Sequence, residues 1–220
     1  GIVTARKGGD WLEVEVKGSP AHAGVAAGDG RSALLAACRE ALRIAELDRQ
    51  RDGLGVHVTT LSAGESLNSV ASRASMMLDV RSWQAQELDW AVGEIMRFGQ
   101  HEGIEFVASS TGRVPPLERT PAVKRLADLA VAVGSALGTP LHDVATGGLS
   151  DACWTAAAGI PTLDGLGPIG AHDHTPDEVI EVPSVATRCG LVAGVIAGVE
   201  HSSPDIAGLG EMKRREYDAA

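Results

Sequence analysis

Hydrophobic and polar residues alternate in four short segments of the first half of the chain. Alternation with a period of two predicts strands that bury one face and expose the other to solvent. The four segments are Trp11–Lys17, residues 54–58, residues 76–81 and residues 104–108. Turn-forming glycine, serine or aspartate residues flank them, so four separate strands are expected.

Two helical stripes lie between these strands. Apolar residues on one face predict a helix over about residues 31–50, with the stripe Leu34, Leu35, Cys38 and Leu42. A second helix is predicted from the stripe Leu88, Val92, Ile95 and Met96. The resulting order, β-α-β-β-α-β, is the split βαβ or ferredoxin-like pattern and predicts an α/β fold.

Helices and short strands alternate from residue 113 onward. Thr120 followed by Pro121 predicts a helix start, because threonine caps the first turn and proline fits its first position. Short strands are predicted over residues 141–145 and 160–163, and residues 1–6 supply one more strand end. A short helix is expected from Ser150-Asp151 to Ala158 and a last helix from Pro183-Ser184, before a polar tail from residue 202. This order is consistent with part of a doubly wound sheet whose edges are poorly covered.

The composition narrows the classes of function. The chain has 220 residues, of which 44% are hydrophobic, so it can build a core. The formal net charge of −10 argues against a nucleic-acid or anionic-membrane surface, because both need clustered Lys and Arg. No uninterrupted apolar run approaches the length needed to span a bilayer.

The cysteines argue against a disulfide framework or a zinc knuckle. Cys38, Cys153 and Cys189 lie far apart, their number is odd, and no C-x-x-C occurs. Buried, reduced and inert thiols are therefore predicted. Together with the acidic charge balance, this favours a cytoplasmic location.

The densest group of polar residues lies in the glycine-rich loop 165–178. It holds His172, His174 and three acidic residues. Histidine beside carboxylates is typical of zinc sites, but solvated surface loops share this composition, so both interpretations stay open. Two histidines cannot complete a zinc site, which needs three or four protein ligands.

Several further polar and glycine residues have an ordinary structural interpretation from the sequence alone. His22 and Asn68 are typical of exposed turns. Gly147-Gly148 is typical of a turn that requires positive φ. Asp79 and Arg81 share one face of a predicted strand, where they form either a salt-bridge network or an arginine fork that awaits a carboxylate.

Five motifs in register resemble the M20 family of metallopeptidases, in particular its glutamate carboxypeptidase-like branch. They are S-P-A-H-A-G (19–24), G-E-S-L-N (64–68), D-V-R (79–81), G-G-L-S-D-A (147–152) and G-L-G-P-I-G-A-H-D-H-T-P-D-E (165–178). The similarity runs from about residue 3 to about residue 200.

This resemblance implies two domains. A ferredoxin-like β-α-β-β-α-β lid, often used for dimerisation, would occupy residues 9–112. Residues 1–8 and 113–201 would be the C-terminal part of an α/β catalytic domain that binds two zinc ions, and residues 202–220 a polar tail. The implied partners are a second copy of the chain, through the lid, and a small carboxylate-bearing amide substrate. No nucleic acid or membrane partner is implied.

The same resemblance implies roles for individual residues. His174 matches a metal ligand. His22 matches a lid histidine that reaches the active site of the partner subunit and steadies an oxyanion, a place where a donor is physically sensible. Asn68 matches a residue that binds substrate near the same oxygen. Arg81 matches the arginine for the substrate's terminal carboxylate, and the Gly147-Gly148 turn matches a backbone wall of the substrate pocket.

Some positions depart from the family pattern. Ala71 replaces a usual proline, Cys153 a usual asparagine and Val179 a usual tyrosine, while His172 is either an extra ligand or a loop variant. The family's H-x-D motif and its Glu-Glu pair, whose first glutamate is the general base, have no counterpart in the sequence. The chain is therefore expected to be a C-terminal portion of a longer enzyme and inactive alone, because one histidine cannot hold two zinc ions.

Three hypotheses remain. The leading one is a dizinc amidohydrolase or carboxypeptidase that cleaves an amide next to a free carboxylate, in an acyl-amino acid, a dipeptide or a glutamate-type substrate. The second is a non-catalytic dimerisation or binding module derived from this family, because a fold alone does not fix a function. The third is a truncated gene product without function.

Overall fold

The computed structural model describes residues 1–201, so the polar tail expected from residue 202 lies outside the described residues. The chain divides into two compact units. The four-stranded unit comprises Lys7–Pro116, and the split unit comprises Gly1–Arg6 together with the described residues from Leu117 onward. The sequence predicts these boundaries at residues 8/9 and 112/113.

The described residues form eight strands and five α-helices. The strands are β1 (Ile2–Arg6), β2 (Gly8–Lys17), β3 (Gly55–Ala63), β4 (Arg73–Ser82), β5 (Glu105–Val114), β6 (Asp143–Thr146), β7 (Gly170–Ala171) and β8 (Val179–Ile180). The helices are α1 (Ala33–Ala45), α2 (Ala85–Ile95), α3 (Pro121–Ala136), α4 (Ala152–Ala157) and α5 (Val182–His201).

The four-stranded unit is one antiparallel sheet with two helices. Its strand order is β3-β4-β2-β5, and each neighbouring pair is antiparallel. Alternate residues of the strands are buried against the helices, among them Leu12, Val14, Met76, Leu78 and Val80. The helices contribute Ile44, Leu88, Ala91 and Ile95 to the same core. The predicted α/β fold with β-α-β-β-α-β order is therefore confirmed.

The predicted stripe of α1 is wrong about which face is buried. Leu35 is 55% exposed and Leu42 is 71% exposed, and Cys38 is exposed as well. The buried face instead comprises Ala33, Ala36, Ala37, Glu40 and Ile44. Small alanine side chains let the helix lie close to the sheet, so the larger leucines are left on the outer face. The helix begins where Ser32 Oγ accepts the Leu35 amide, at 3.2 Å.

A buried carboxylate ties α1 to the end of α2. Glu40 is 2% exposed, and its Oε1 accepts the Gly99 amide at 2.9 Å and contacts His101 Nε2 at 3.0 Å. Its Oε2 accepts Arg43 Nε at 2.6 Å. Arg43 in turn donates to the carbonyls of Glu94 and Ile95, which satisfies carbonyls at the C-terminal end of α2.

Burial alone would raise the pKa of Glu40. Hydrogen bonds from His101, Arg43 and the Gly99 amide outweigh burial, and the pKa lies below its ordinary value. The carboxylate therefore stays ionised inside the unit and holds three segments of the chain together.

The split unit has a smaller sheet. Strand β1 pairs in parallel with β6, and α3 and α5 pack with β1 around Ile2, Ala127, Ala130, Leu191 and Val195. Thr120 Oγ1 accepts the Val123 amide at the start of α3, with Pro121 in the first turn, as the sequence predicts. Arg188 of α5 is 8% exposed, and its Nη1 has no hydrogen-bond partner among the described residues.

Two local predictions in this unit are wrong. Residues 160–163 form no strand, and this segment reaches the sheet only where Asp164 forms an isolated bridge with Val3. A four-residue apolar run cannot by itself distinguish a strand from a packed loop. The glycine-rich loop contains a small antiparallel pair, β7 with β8, that alternation did not reveal because each strand is two residues long.

Helix α5 corrects the expectation about apolar length. By length and composition alone, the helix Val182–His201 could cross a bilayer. Its most apolar 18-residue stretch has a mean hydropathy of 1.6, and 17% of that stretch is buried. Counting only uninterrupted apolar residues missed it, because Ser184, Thr187 and Arg188 interrupt the run. Such a helix is weak evidence for a span, since core helices of soluble proteins pass the same test.

The cysteine prediction holds for one residue of three. Cys153 is buried, whereas Cys38 and Cys189 are exposed, and all three are free thiols. Cys38 lies on the outer face of α1, and Cys189 follows Arg188 on α5.

Candidate functional site

Two loops that carry predicted site residues meet at one end of the four-stranded sheet. His22 forms an isolated β-bridge with Ser69. The Ala23 amide donates to the Asn68 carbonyl at 2.9 Å, and the Val70 amide donates to the Ala21 carbonyl at 2.8 Å. The structure therefore brings His22 and Asn68 together on neighbouring, exposed loops.

Among residues 1–201, the hydrogen bonds of both side chains leave donors without a partner. His22 Nδ1 accepts the Gly24 amide at 3.1 Å, so the neutral ring carries its proton on Nε2. Asn68 Oδ1 accepts Ser66 Oγ at 2.7 Å, which leaves the Nδ2 donors without a recorded partner in the described part of the chain. A histidine Nε2–H and an asparagine amide on adjacent loops are suited to stabilise a developing oxyanion.

Arg81 lies near the other end of strand β4, in a closed group of side chains. Its Nε and Nη2 donate to Asp79 at 2.5 and 2.9 Å. Trp11 Nε1 also donates to Asp79, at 3.2 Å, and the guanidinium lies 5.0 Å from the Trp11 ring centroid. The salt-bridge network that the sequence left open therefore exists, and it uses one edge of the arginine fork.

Hydrogen bonding from Arg81, opposed by burial, holds the pKa of Asp79 below its ordinary value. The charge of Arg81 and the Trp11 hydrogen bond act in the same direction. Asp79 therefore stays ionised and keeps the guanidinium in one orientation at neutral pH.

The two groups of predicted residues are far apart within one unit. Arg81 stands eight residues after Arg73 on one strand. At a rise of about 3.3 Å per residue, this separation is about 26 Å. His22 and Asn68 lie beyond the Arg73 end, so a single four-stranded unit cannot place Arg81 beside them.

A hydrogen-bonded network fixes the Gly147-Gly148 turn in the split unit. Arg6 Nε donates to Asp164 Oδ2 at 2.7 Å, and Arg6 Nη1 donates to the Gly148 carbonyl at 2.8 Å. Ser150 Oγ donates to the same Asp164 oxygen at 2.5 Å, and the Gly165 amide donates to Oδ1 at 2.7 Å. Asp164 therefore ties this turn to the first residue of the glycine-rich loop.

Burial would raise the pKa of Asp164, but hydrogen bonds from Ser150, the Gly165 amide and Arg6 hold it below the ordinary value. Sequence reasoning missed Arg6 and Asp164. The sequence gives little indication that these two side chains pair, because 158 residues separate them.

The loop that carries His174 makes a tight, exposed turn between β7 and β8. Both His172 and His174 have positive φ, at 63° and 64°. The His172 carbonyl accepts the Thr175 amide at 3.2 Å and Thr175 Oγ1 at 2.7 Å. Positive φ at histidine is uncommon, and such backbone conformations concentrate at functional sites.

The described residues do not complete a metal site by themselves. Within residues 1–201, no group of three or more His, Cys, Asp or Glu side chains is placed to hold a metal ion. A zinc centre needs three or four protein ligands. His174 therefore remains a predicted ligand that would need further ligands from outside these residues.

Comparison with known proteins identifies the four-stranded unit. The sequence profile of the peptidase dimerisation domain of the M20 family matches residues 4–105. That range contains β2, β3, β4 and both helices of the unit, together with His22, Asn68 and Arg81.

Similarity to carboxypeptidase G2 extends over most of the chain, and a second relative matches a shorter part. Carboxypeptidase G2 from a Pseudomonas species is 28% identical over 192 residues, which are 84% of this chain and 46% of that enzyme. A homolog of a p-aminobenzoyl-glutamate hydrolase subunit from Haemophilus influenzae is 32% identical over 96 residues, which are 43% of this chain and 23% of that protein. The chain thus spans about half the length of the first of these relatives.

Solved structures show the same fold. The aminopeptidase PepT of Bacillus cereus superposes with a TM-score of 0.74 at 24% identity, covering 89% of this chain and 52% of that one. A tripeptidase of Staphylococcus aureus gives a TM-score of 0.68 at 20% identity, with 89% and 52% coverage. The resemblance seen in the sequence motifs is confirmed: residues 4–105 match the peptidase dimerisation domain of the M20 family, and most of the chain is similar to carboxypeptidase G2.

Proposed function

We propose that this chain is part of a hydrolase that cleaves an amide bond next to a free carboxylate. The similarity to carboxypeptidase G2 over 84% of the chain carries this proposal. The named activities of both curated relatives concern carboxyl-terminal or glutamate-linked amides. Acyl-amino acids, dipeptides and glutamate-type amides are the substrate classes that follow.

Arg81 is the proposed anchor for the substrate carboxylate. A guanidinium is always charged and matches a carboxylate with two parallel hydrogen bonds. Asp79 occupies one edge of Arg81, and Nη1 lies on the other. The proposed donors to the oxyanion are His22 and Asn68, whose Nε2 and Nδ2 groups lie on adjacent loops.

The distance between these groups supports a homodimer. Arg81 lies about 26 Å along the strand from the end where His22 and Asn68 meet. A second copy of the four-stranded unit would supply His22 to a site whose Arg81 belongs to the first copy. The exposed stripe of Leu35, Cys38 and Leu42 on α1 and the outer edge of β3 are the proposed surfaces of contact.

The dimer proposal is tested by sedimentation of the chain. We expect a dimer for the native sequence and a monomer for Leu35→Glu with Leu42→Glu, because two buried charges oppose each other across a twofold axis. The matched control is Leu137→Glu, which changes an exposed leucine at the end of α3 in the split unit. Equal sedimentation of the native chain and the double variant would exclude this surface.

The proposed reaction requires a metal centre. We propose that the complete enzyme holds two zinc ions, with His174 as one ligand and the other ligands in sequence beyond this chain. Bound zinc would activate water and polarise the amide carbonyl. The proposal is supported by relatives about twice as long as this chain.

Hydrolysis assays test the proposed reaction. The 220-residue chain with added Zn²⁺ is expected to leave benzoyl-glutamate intact. A protein that contains this chain together with the missing ligands is expected to hydrolyse it and to spare the corresponding diamide. Zinc-dependent hydrolysis by the chain alone would overturn the proposal that most of the zinc ligands lie in sequence beyond this chain. Equal rates on the acid and the diamide would overturn the proposed substrate class.

A non-catalytic dimerisation module is the second candidate. The exposed apolar face of α1 favours it, because it needs a partner whether or not catalysis occurs. A gene in which the reading frame holds neither an H-x-D motif nor a Glu-Glu pair upstream of Gly1, combined with dimerisation of the chain, would favour this function over hydrolysis.

A further inference from the structure

We propose that Asp79, Trp11 and Gly9 are positioning residues that hold Arg81 with a single edge of its guanidinium available to a ligand carboxylate. This inference rests on the proposed function, since it assigns the specificity of the same site. It concerns three residues to which the resemblance assigns no role. Each acts on Arg81 through a different contact.

Asp79 fixes the plane of the fork. An arginine has five N–H donors, one on Nε and two on each terminal nitrogen. Asp79 accepts from Nε at 2.5 Å and from Nη2 at 2.9 Å, which uses the side edge. The end-on edge, formed by Nη1 and the second Nη2 hydrogen, has the spacing to bind another carboxylate with two hydrogen bonds.

Trp11 fixes Asp79 and covers the guanidinium. Its Nε1 donates to Asp79 Oδ2 at 3.2 Å, the oxygen that also accepts Arg81 Nη2. Its ring lies 5.0 Å from the guanidinium carbon, within the range of a cation–π contact. The three side chains thus form a closed triangle in which neither acid nor base can rotate alone.

Gly9 provides the space in which the arginine lies. Gly9 on β2 and Gly55 on β3 stand opposite Arg81 in the sheet register. A Cβ atom on Gly9 would lie 3.2 Å from Arg81 Cδ, 3.2 Å from Nε and 3.3 Å from Cζ. The guanidinium therefore lies over the bare backbone of Gly9, and a Cβ there would require the arginine side chain to shift by a few tenths of an ångström.

The consequence is a preset direction for the ligand. A free arginine can meet a carboxylate with several edges and in many rotamers, and ordering it costs binding free energy. Arg81 meets a ligand with that ordering already done. A lysine at this position would keep the charge but lose the bond pattern to Asp79 and the end-on edge.

The side-chain NMR signal of Arg81 tests the positioning in the 220-residue chain. We expect a resolved Nε–H resonance at neutral pH, shifted by the Trp11 ring and protected by the Asp79 hydrogen bond. It should vanish or move to the free-arginine position in Asp79→Asn, and it should shift in Gly9→Ala. Gly93→Ala is the matched control, because a Cβ there would meet nothing within 4 Å. An unchanged signal in Asp79→Asn and Gly9→Ala would overturn the proposal.

Substrate selectivity tests the consequence in the protein that contains this chain with its missing ligands. The measured quantity is the ratio of kcat/KM for benzoyl-glutamate to that for its diamide. Asp79→Asn and Gly9→Ala are expected to lower the ratio about tenfold, mainly through a higher KM for the acid. Trp11→Phe, which keeps a ring but loses the donor, should lower it less, and Gly93→Ala should leave it unchanged.

Arg81→Ala separates carboxylate binding from positioning. If this variant leaves the ratio unchanged, the proposed carboxylate role of Arg81 fails. If it lowers the ratio while Asp79→Asn and Gly9→Ala do not, Arg81 binds the carboxylate but its neighbours do not position it, and the positioning proposal fails. If all three lower the ratio, both proposals hold.

Discussion

The two units of this chain differ in how completely they bury their own apolar surface. The four-stranded unit has a continuous core between one sheet and two helices, to which both the strands and the helices contribute large apolar side chains. The split unit has a parallel pair of strands, and Val182 and Ile196 of its longest helix are 71% and 57% exposed. Parallel strands are ordinarily covered on both faces. A self-sufficient domain and an open one thus occur in one polypeptide.

The difference teaches where each unit obtains its stability. In the four-stranded unit, buried charge is fully paired, as the Glu40 carboxylate shows with its three donors. In the split unit, the buried Arg188 retains a donor without a recorded partner in the part of the chain that the structure describes. Burying a charged group without a partner lowers stability. We therefore expect the stability of the split unit to depend on contacts with further protein surface.

The sharpest test of this comparison is a core truncation in each unit. Leu78→Ala in the four-stranded unit should cost about 3–4 kcal/mol of unfolding free energy, because the surrounding core cannot collapse into the cavity. Leu191→Ala in the split unit should cost about 2 kcal/mol, the low end for a buried leucine, since several of its neighbours are partly exposed and can relax. Urea titrations followed by the amide NMR signals of each unit measure both. Equal losses would contradict the comparison.

The next effect concerns the buried carboxylate. Glu40→Gln should destabilise the four-stranded unit by about 2 kcal/mol, because charge-assisted hydrogen bonds from Arg43 and His101 are lost within a buried site. The control is Asp128→Asn, which removes an exposed ion pair with Lys124 on α3. It should be silent within experimental error. If Glu40→Gln left the unfolding free energy unchanged in the same urea titrations, the network would not be stabilising.

Acid should reveal the same network. The pKa values of Glu40, Asp79 and Asp164 are all lowered in the folded state. Their stabilising contributions are therefore complete above the ordinary carboxyl pKa values and are lost as the pH falls from about 4 toward the lowered values. Thermal unfolding as a function of pH should show this loss, with a shallower slope in Glu40→Gln. A rise in stability on acidification would contradict the stabilising role of these three carboxylates.

The smallest expected change in stability comes from replacing the buried Arg188 of the split unit. Arg188→Met should leave the stability of the chain unchanged or raise it by about 1 kcal/mol, because a buried and incompletely paired charge is replaced by an apolar side chain of similar length. Differential scanning calorimetry measures it, with Arg125→Met on α3 as an unburied arginine control. A large destabilisation would show that Arg188 already has a full set of partners.

Much of the fold follows from residue periodicity. Alternation identified all four strands of the four-stranded unit, and Thr120 with Pro121 identified the start of α3. Periodicity failed on α1 because that helix has apolar residues on two faces, and spacing cannot say which face meets the sheet. It failed at residues 160–163 because so short a run carries no period.

The candidate site was predictable where residues lie in local motifs. His22, Asn68 and Arg81 were named from such motifs, and their roles remain predictions. The partners that hold them in place were not visible, because they come from distant parts of the chain. Asp164 meets Arg6 across 158 residues, and Trp11 meets Asp79 across 68. Only the register of the folded strands brings such residues together.

The place where the chain enters and leaves the four-stranded unit affects how the other unit can form. Arg6 and Leu117 exchange two backbone hydrogen bonds, at 3.0 and 3.1 Å, just outside that unit. In an unfolded chain, joining these residues would close a loop of about 110 residues at an entropic cost of about 4 kcal/mol. A folded four-stranded unit already holds Gly8 beside Pro116 and removes most of that cost. We therefore expect the pairing of β1 with β6 to be slow until the inserted unit has folded and fast thereafter.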